Sequence, residues 1–357
     1  PQLGDEEKKA VCKVIDSGLI AQGPKVGEFE ENFADYVGTK YAVATTSGTT
    51  ALHTALLAQD IGIGDEVLTT AFTFIASANT ILYTGAKPVF CDIGEDYNID
   101  AEKIKAKITG KTKAIMPIHL YGQPAGMDEI KETAQKHNLK VIEDACQAHG
   151  AEINNKKVGS IGDAGCFSFY PTKNMTCSEG GMITTNKKEI AEKARLLRAH
   201  GSPKRYHHKI LGYNYRMTDI HAAIGLTQLK KLDESNKKRR ANAQTLTKQL
   251  TNIQGIETPR KYEGRTPVYH QYTIRLRDFP LTRENVIKRL RKQGISSAIY
   301  YPLPVHKQEL YLKRGYTDSL PITEKYANQV LSLPIHPSLT EDELTHIADA
   351  FKKMAND

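Results

Sequence analysis

Tryptophan is absent from this 357-residue sequence, and cysteine occurs only five times, at positions 12, 91, 146, 166 and 177. An odd number of thiols with no paired metal-ligand spacing argues against a disulfide framework and against a zinc site. It points instead to reduced cysteines and a cytoplasmic setting. No stretch approaches the roughly 18 uninterrupted apolar residues that a spanning helix needs, so no membrane role is expected. The opening segment PQLGDEEKKAVCKVIDSG is amphipathic and acidic, where an export signal is basic and then apolar. Internal repeats and low-complexity linkers are missing as well. With 39% hydrophobic and 25% charged residues of mixed sign, disorder is excluded. The chain can bury a large core, organised at ~150 residues per domain as about two domains.

The net charge is +8, yet basic residues are scattered. The densest cluster, Lys230, Lys231, Lys237, Lys238, Arg239 and Arg240, has Asp233 and Glu234 inside it and reads as the solvated face of a helix. That weighs against nucleic acid and keeps phosphorylated small molecules as attractive partners.

From residue 40 to 186, short β-branched runs alternate with helical stretches. Strands are expected at Tyr41–Thr46, Val67–Thr70, Pro88–Ile93, Thr112–His119 and Lys140–Ala145. Helices such as Asp100–Lys107 and Asp128–His137 each open on an aspartate suited to capping. This alternation predicts an α/β fold, a mostly parallel sheet sandwiched by helices. Two further runs, Ala164–Tyr170 and Gly181–Asn186, have no room for a helix between them and extend the sheet on one side. Residues 187 to 250 read as helical, with Thr218–Asp233 as one helix. Beyond them an antiparallel-type strand at Tyr269–Leu276, a helix at Thr282–Gln293 and a strand at Ile295–Tyr300 suggest a smaller α+β unit. The expected division is 1–240 and 241–357.

In an open parallel sheet ligands bind beyond the carboxyl ends of the strands. After YAVATT comes Ser47-Gly48-Thr49-Thr50, directly opening a helix. Free amides at a helix start and residues small enough for close approach make a phosphate cradle; a plain Ser/Gly turn with a Thr cap is the other reading. The strand Lys140-Val141-Ile142 runs into Glu143 and Asp144. A carboxylate at the end of a buried strand needs a cationic partner or serves as a helix cap. The segment CFSFYPTKN then presents Ser168 on a strand and Lys173 in the turn that ends it. A lysine in a catalytic crevice can form a Schiff base when its neighbours lower its pKa; otherwise it is an exposed loop residue. A phosphate cradle, a strand-end aspartate and a lysine, in that order, match the needs of pyridoxal phosphate, whose phosphate, pyridine nitrogen and aldehyde each require one of them.

The motifs TSGTTAL (46–52), TAFTFIASAN (70–79), MPIHLYG (116–122), VIEDACQAHGA (141–151), FSFYPTKN (167–174), EGGMITT (179–185), RAHG (198–201) and LGYNYRMTDIHAAIGLTQL (211–229) cover nearly the whole chain. With them the sequence resembles the DegT/DnrJ/EryC1/StrS family of fold type I, pyridoxal-phosphate-dependent sugar aminotransferases. The resemblance implies that Gly48, Thr49 and Ser168 hold the cofactor phosphate and that Phe74 stacks on its ring. It puts Asp144 on the pyridinium nitrogen, Gln147 near the ring hydroxyl and Lys173 on the aldehyde as a Schiff base. It has Asn214 reach the phosphate of a neighbouring subunit, giving a homodimer with shared sites, and Arg216 meet an anionic substrate group. Tyr301 and His306 of YYPLPVH match a segment lining the nucleotide-sugar pocket. The implied reaction moves an amino group from glutamate to a keto group of a nucleotide-linked deoxysugar.

Two departures bear on this. Some members replace the lysine with histidine and deoxygenate, whereas Lys173 is retained here. The usual Thr-Thr-Gly before Glu-Gly-Gly is Thr176-Cys177-Ser178, which loses a glycine and brings a thiol near the expected site. The alternatives are dehydration or aromatic-amine synthesis on the same fold, and a non-catalytic regulator that binds nucleic acid. The regulator gives no reason for Lys173, Asp144 and Ser168 to occur together.

Overall fold

The runs that are apolar on both faces assemble into one seven-stranded sheet in the computed structural model, which describes residues 2–355. Across the sheet the order is Tyr41–Thr45, Gly181–Thr185, Ala164–Ser168, Lys140–Asp144, Thr112–Ile115, Glu66–Thr70 and Lys87–Cys91. Only Gly181–Thr185 runs against the rest. Alternate residues supply two separate cores, as the pleat requires. Ala42, Leu68, Ile115, Val141 and Phe167 pack on one face with Pro24–Val37. Val43, Val67, Ala114, Ile142 and Cys166 pack on the other with Gly48–Ala58 and Lys188–Arg198.

A second, antiparallel sheet of Ile256–Glu257, Tyr272–Leu276 and Val330–Leu333 has its own core. It is covered by Arg283–Lys292, Glu341–Ala355 and the far end of Leu232–Leu250. A short sheet pairing Arg265–Thr266 with Glu152–Ile153 ties the two regions together. Among the described residues no helix is long and apolar enough to cross a membrane.

Several local expectations change. The strand from Thr112 stops at Ile115, because Pro117 has no amide to donate. The helix Met127–Lys136 enters through Gly126, and Asp128 lies in its first turn instead of capping it; Asp100 does cap, accepting from Glu102 N at 3.0 Å. Residues 199–218 are not helical. His200 and Gly201 take positive φ there, and a Cβ on Gly201 would lie 1.8 Å from the Ile210 carbonyl oxygen, a crossing that only glycine permits. Thr218–Asp233 is two helices, Asp219–Leu229 and a new one from Leu232, whose first turn carries Asp233 and Glu234 where the dipole favours acids. Ile295–Tyr300 forms only one bridge, Ala298 with Ser332, before the prolines at 302 and 304 turn the chain toward the large sheet. Arg239 is buried instead of lying on a solvated face. All five cysteines are free. Cys177 sits deep in the core, its sulfur beside Gly225, while Ser178 absorbs the positive φ that a glycine would have taken.

Candidate active site

The strands Tyr41–Thr45, Glu66–Thr70, Lys140–Asp144 and Ala164–Ser168 end on the same edge of the large sheet, and they or the turns after them deliver polar groups to one cavity of about 580 Å³. At the end of Tyr41–Thr45, Ser47 caps the next helix by accepting from Thr50 N at 3.2 Å. The amides of Gly48 and Thr49, which have no intrahelical partner, are thus at the cavity wall. A Cβ on Gly48 would lie 2.6 Å from Ser168 Cβ and 2.9 Å from Cys146 Sγ. Glycine is therefore what lets this helix start close against the neighbouring strand. Amides, the Thr49 hydroxyl and the Ser168 hydroxyl together form an anion cradle.

Asp144 ends the central strand at 5% exposure. Its Oδ2 accepts from Ser77 Oγ at 2.7 Å and its Oδ1 from Cys146 N at 3.1 Å. Ser77 is itself 2.9 Å from Thr73 Oγ1, in the bend that precedes the helix Ala76–Tyr83. The carboxylate is thus fixed in direction while facing the cavity. Beside it, Gln147 Oε1 accepts from Tyr121 N at 2.8 Å and Nε2 donates to the Tyr301 hydroxyl at 3.0 Å. Burial pushes the Tyr301 hydroxyl pKa up, so it keeps its proton. Phe74 presents a half-exposed ring, with its centroid 6.2 Å from that of Tyr301.

Lys173 follows the strand Ala164–Ser168 through a turn closed by its own amide donating to Tyr170 O at 2.9 Å. The next residue anchors that turn, since Asn174 Nδ2 donates to Asn236 Oδ1 at 2.8 Å and to Val268 O at 3.0 Å. Burial pushes the Lys173 ammonium below its ordinary pKa, and the Asp144 charge offsets only part of that. The amine is therefore a better base and nucleophile than a surface lysine. Behind it two histidines stay neutral: burial and then the Lys173 charge hold His149 down to about 3, and the same causes push His270 well below its ordinary value.

Gly48, Thr49, Phe74, Asp144, Gln147, Ser168, Lys173 and Tyr301 are thus brought to one cavity. Three expected residues are not. Asn214 is exposed, with its backbone bridging Ala199, and neither it nor Arg216 lines the cavity of its own chain. His306 is buried away from it, against the Phe90 ring with Nε2 3.1 Å from Glu324 Oε1, and so makes no substrate contact there. The sequence alone does not single out Ser77, which opens the helix Ala76–Tyr83 and meets Asp144 only through the fold. Nor does it single out His270 and Gln271, which arrive from a distant segment without any local signature, or Tyr300, which lines the cavity beside Tyr301.

One buried neighbour braces this arrangement. Glu143, fully buried, accepts from His119 Nε2 at 3.0 Å and from the amides of Gly159, Ile161 and Gly162 at 2.6–2.8 Å. His119 Nδ1 accepts from Ala125 N at 3.0 Å, so Nε2 carries the proton that Glu143 receives. Burial alone would raise the Glu143 pKa, but His119 and the amides outweigh it and the pKa falls. A depressed folded-state pKa contributes stability that is present above about pH 4.5 and is lost as pH falls through the folded value. Glu143→Gln is expected to cost about 3 kcal/mol at neutral pH. Its unfolding midpoint should also decline less steeply than the wild type's below about pH 4.5, as read from denaturant titrations across that range.

A family description, DegT/DnrJ/EryC1/StrS aminotransferase, matches residues 1–352. The chain belongs to this aminotransferase family. Among its relatives, a protein of Geobacillus stearothermophilus named "Pleiotropic regulatory protein" is 43% identical over 98% of this chain and 94% of its own length. GDP-perosamine synthase of Caulobacter vibrioides is 43% identical over 99% and 96%. The solved structure of S. venezuelae DesV in complex with a ketimine intermediate superposes with a TM-score of 0.95 at 38% identity, covering 99% of this chain and 95% of that one. The family's fold type I architecture accounts for the sheet order, and the chain is an aminotransferase enzyme.

Proposed function

We propose that this aminotransferase uses pyridoxal phosphate bound in the first cavity to carry an amino group from glutamate to a keto group of a nucleotide-linked deoxysugar. The observation that carries the reading is Lys173, with its lowered pKa, sharing one cavity with the Asp144 carboxylate and the Gly48 cradle. These residues fit the cofactor: the cradle suits its phosphate, Asp144 its ring nitrogen, Lys173 its aldehyde and Phe74 its ring face. Bound there, pyridoxal phosphate would supply an electron-accepting ring.

The chain's own groups do the rest. Lys173 Nζ would accept the proton from the donor carbon as general base and then, as its ammonium, give it up again as general acid. Asp144, directed by Ser77 and the Cys146 amide, keeps a negative charge where the ring nitrogen must stay protonated. The Gly48 and Thr49 amides with Ser168 hold the phosphate and so fix the register of the reacting atoms. GDP-perosamine synthase, aligned over 99% of this chain, supports a nucleotide sugar as acceptor.

The working unit in this reading is a homodimer in the cytoplasm. The high exposure of Tyr206 and Leu211 in the segment 199–218 supports an interface there, through which Asn214 and Arg216 would reach a partner's site. Residues 1–240 form the cofactor-binding domain and 241–357 the smaller one, which brings Tyr301 to the cavity. The test is mass spectrometry of the purified enzyme incubated with glutamate and a panel of 3-keto and 4-keto nucleotide sugars. An amino sugar formed one-for-one with 2-oxoglutarate is expected. Absence of 2-oxoglutarate with every acceptor would contradict the reading.

A further inference from the structure

His53 is a buried histidine, 4% exposed, that the chemistry above does not use. It sits on the helix Gly48–Ala58, whose first turn makes the anion cradle, and its spacing of four from Thr49 puts both on one helix face. Tyrosine rings surround it. The Tyr213 centroid lies 5.1 Å away, that of Tyr83 5.7 Å and that of Tyr215 6.0 Å, all edge-on or tilted. His53 Nδ1 and the Tyr215 hydroxyl are 3.2 Å apart and share a hydrogen bond. Burial holds the imidazole down to about 4, so at neutral pH the ring contributes shape and a hydrogen bond, not charge.

Tyr213 and Tyr215 belong to the segment 199–218. Their rings stack with centroids 4.9 Å apart and planes 8° apart. Their backbone is pinned to the end of the helix Lys188–Arg198: Tyr213 N donates to Leu197 O at 2.6 Å and Tyr215 N to Arg198 O at 2.9 Å. Successive side chains of an extended chain point to opposite sides. Asn214, between the two tyrosines, bridges Ala199 and is exposed. The inward rings thus decide how Asn214 is presented outward, and they rest on His53. The cradle does not depend on this contact, because Ser47 caps its helix and Gly48 sits against Ser168.

We infer that His53 is a positioning residue that acts across the dimer: by seating Tyr213 and Tyr215 it aims Asn214 at the phosphate held in a second copy's cavity. The inference rests on the shared-site homodimer of the reading above. It adds the residue that couples the cradle helix of one chain to the site of the other.

The test uses hybrid dimers purified through two different tags. One chain carries Lys173→Ala, so borohydride trapping of pyridoxal phosphate on Lys173 reports the other chain's site alone. The readout is the pyridoxal phosphate concentration that gives half-maximal labelling. His53→Leu fills the space without a ring. On the Lys173→Ala chain it should raise that concentration about tenfold, and on the reporting chain less than about twofold. Tyr215→Phe removes only the shared hydroxyl and should act in the same sense by about threefold; it keeps the test decisive if the leucine chain does not fold. Asn214→Ala on the Lys173→Ala chain should weaken labelling at least as much as His53→Leu does, and combining the two should add nothing further. An equal or larger effect from the reporting chain, no effect from either placement, or additive losses with Asn214→Ala would overturn the inference. A monomeric enzyme, or labelling indifferent to Asn214→Ala, would instead overturn the shared-site reading itself.

Discussion

Lys173→Ala is expected to lower turnover by about 10³-fold or more and to abolish covalent attachment of the cofactor. Proton transfer by a positioned base is worth about 10²–10⁴-fold by itself, and the substitution also removes the amine that fixes the aldehyde. The neighbouring groups cannot substitute. His149 and His270 are held neutral by burial and the Lys173 charge, and Cys146 is kept as a thiol by burial and then by Asp144. The anion cradle does not involve the lysine, so the variant should still bind pyridoxal phosphate reversibly. Retained full transamination in this variant would show that another residue carries the proton.

Asp144→Asn is expected to separate binding from rate. The amide is close in size to the carboxylate, and Ser77 and the Cys146 amide still find partners on it, so the cavity keeps its shape. What disappears is the charge facing the ring nitrogen. Losing one member of a buried pair costs about 3 kcal/mol, or about 10²-fold in rate if it falls on the transition state. Steady-state kinetics beside a cofactor titration check this: kcat should drop by about that factor while the dissociation constant of pyridoxal phosphate changes several-fold at most. Equal kcat in wild type and variant would assign the carboxylate a purely structural role.

The parts of this site that were legible in the sequence are those where one strand ends in the residue that matters. Asp144 and Ser168 terminate buried apolar runs and Lys173 follows one within a turn, and a parallel sheet sends such ends to one edge. Gly48 was readable for the same reason, although the contact that demands glycine, with Ser168 and Cys146, involves residues about 100 positions away. What pattern could not show came from tertiary assembly. Asp219 looks like an ordinary first-turn acid, yet its carboxylate accepts from Gly23, Lys25 and Val26 and so caps a helix almost 200 residues earlier. Arg239 looks solvated because its neighbours are charged, but the helix turns it inward to donate to Tyr269 O. His306 belonged to the right segment and points to Glu324 instead of the cavity, because Val305 pins that segment to Ala71.

Borohydride reduction of the enzyme loaded with pyridoxal phosphate, followed by peptide mass spectrometry, tests the chemistry at its root. The pyridoxyl group should be found on the peptide containing Lys173, and incubation with glutamate before reduction should prevent the labelling. A label on any other lysine, or labelling at Lys173 that glutamate leaves unchanged, would contradict the mechanism.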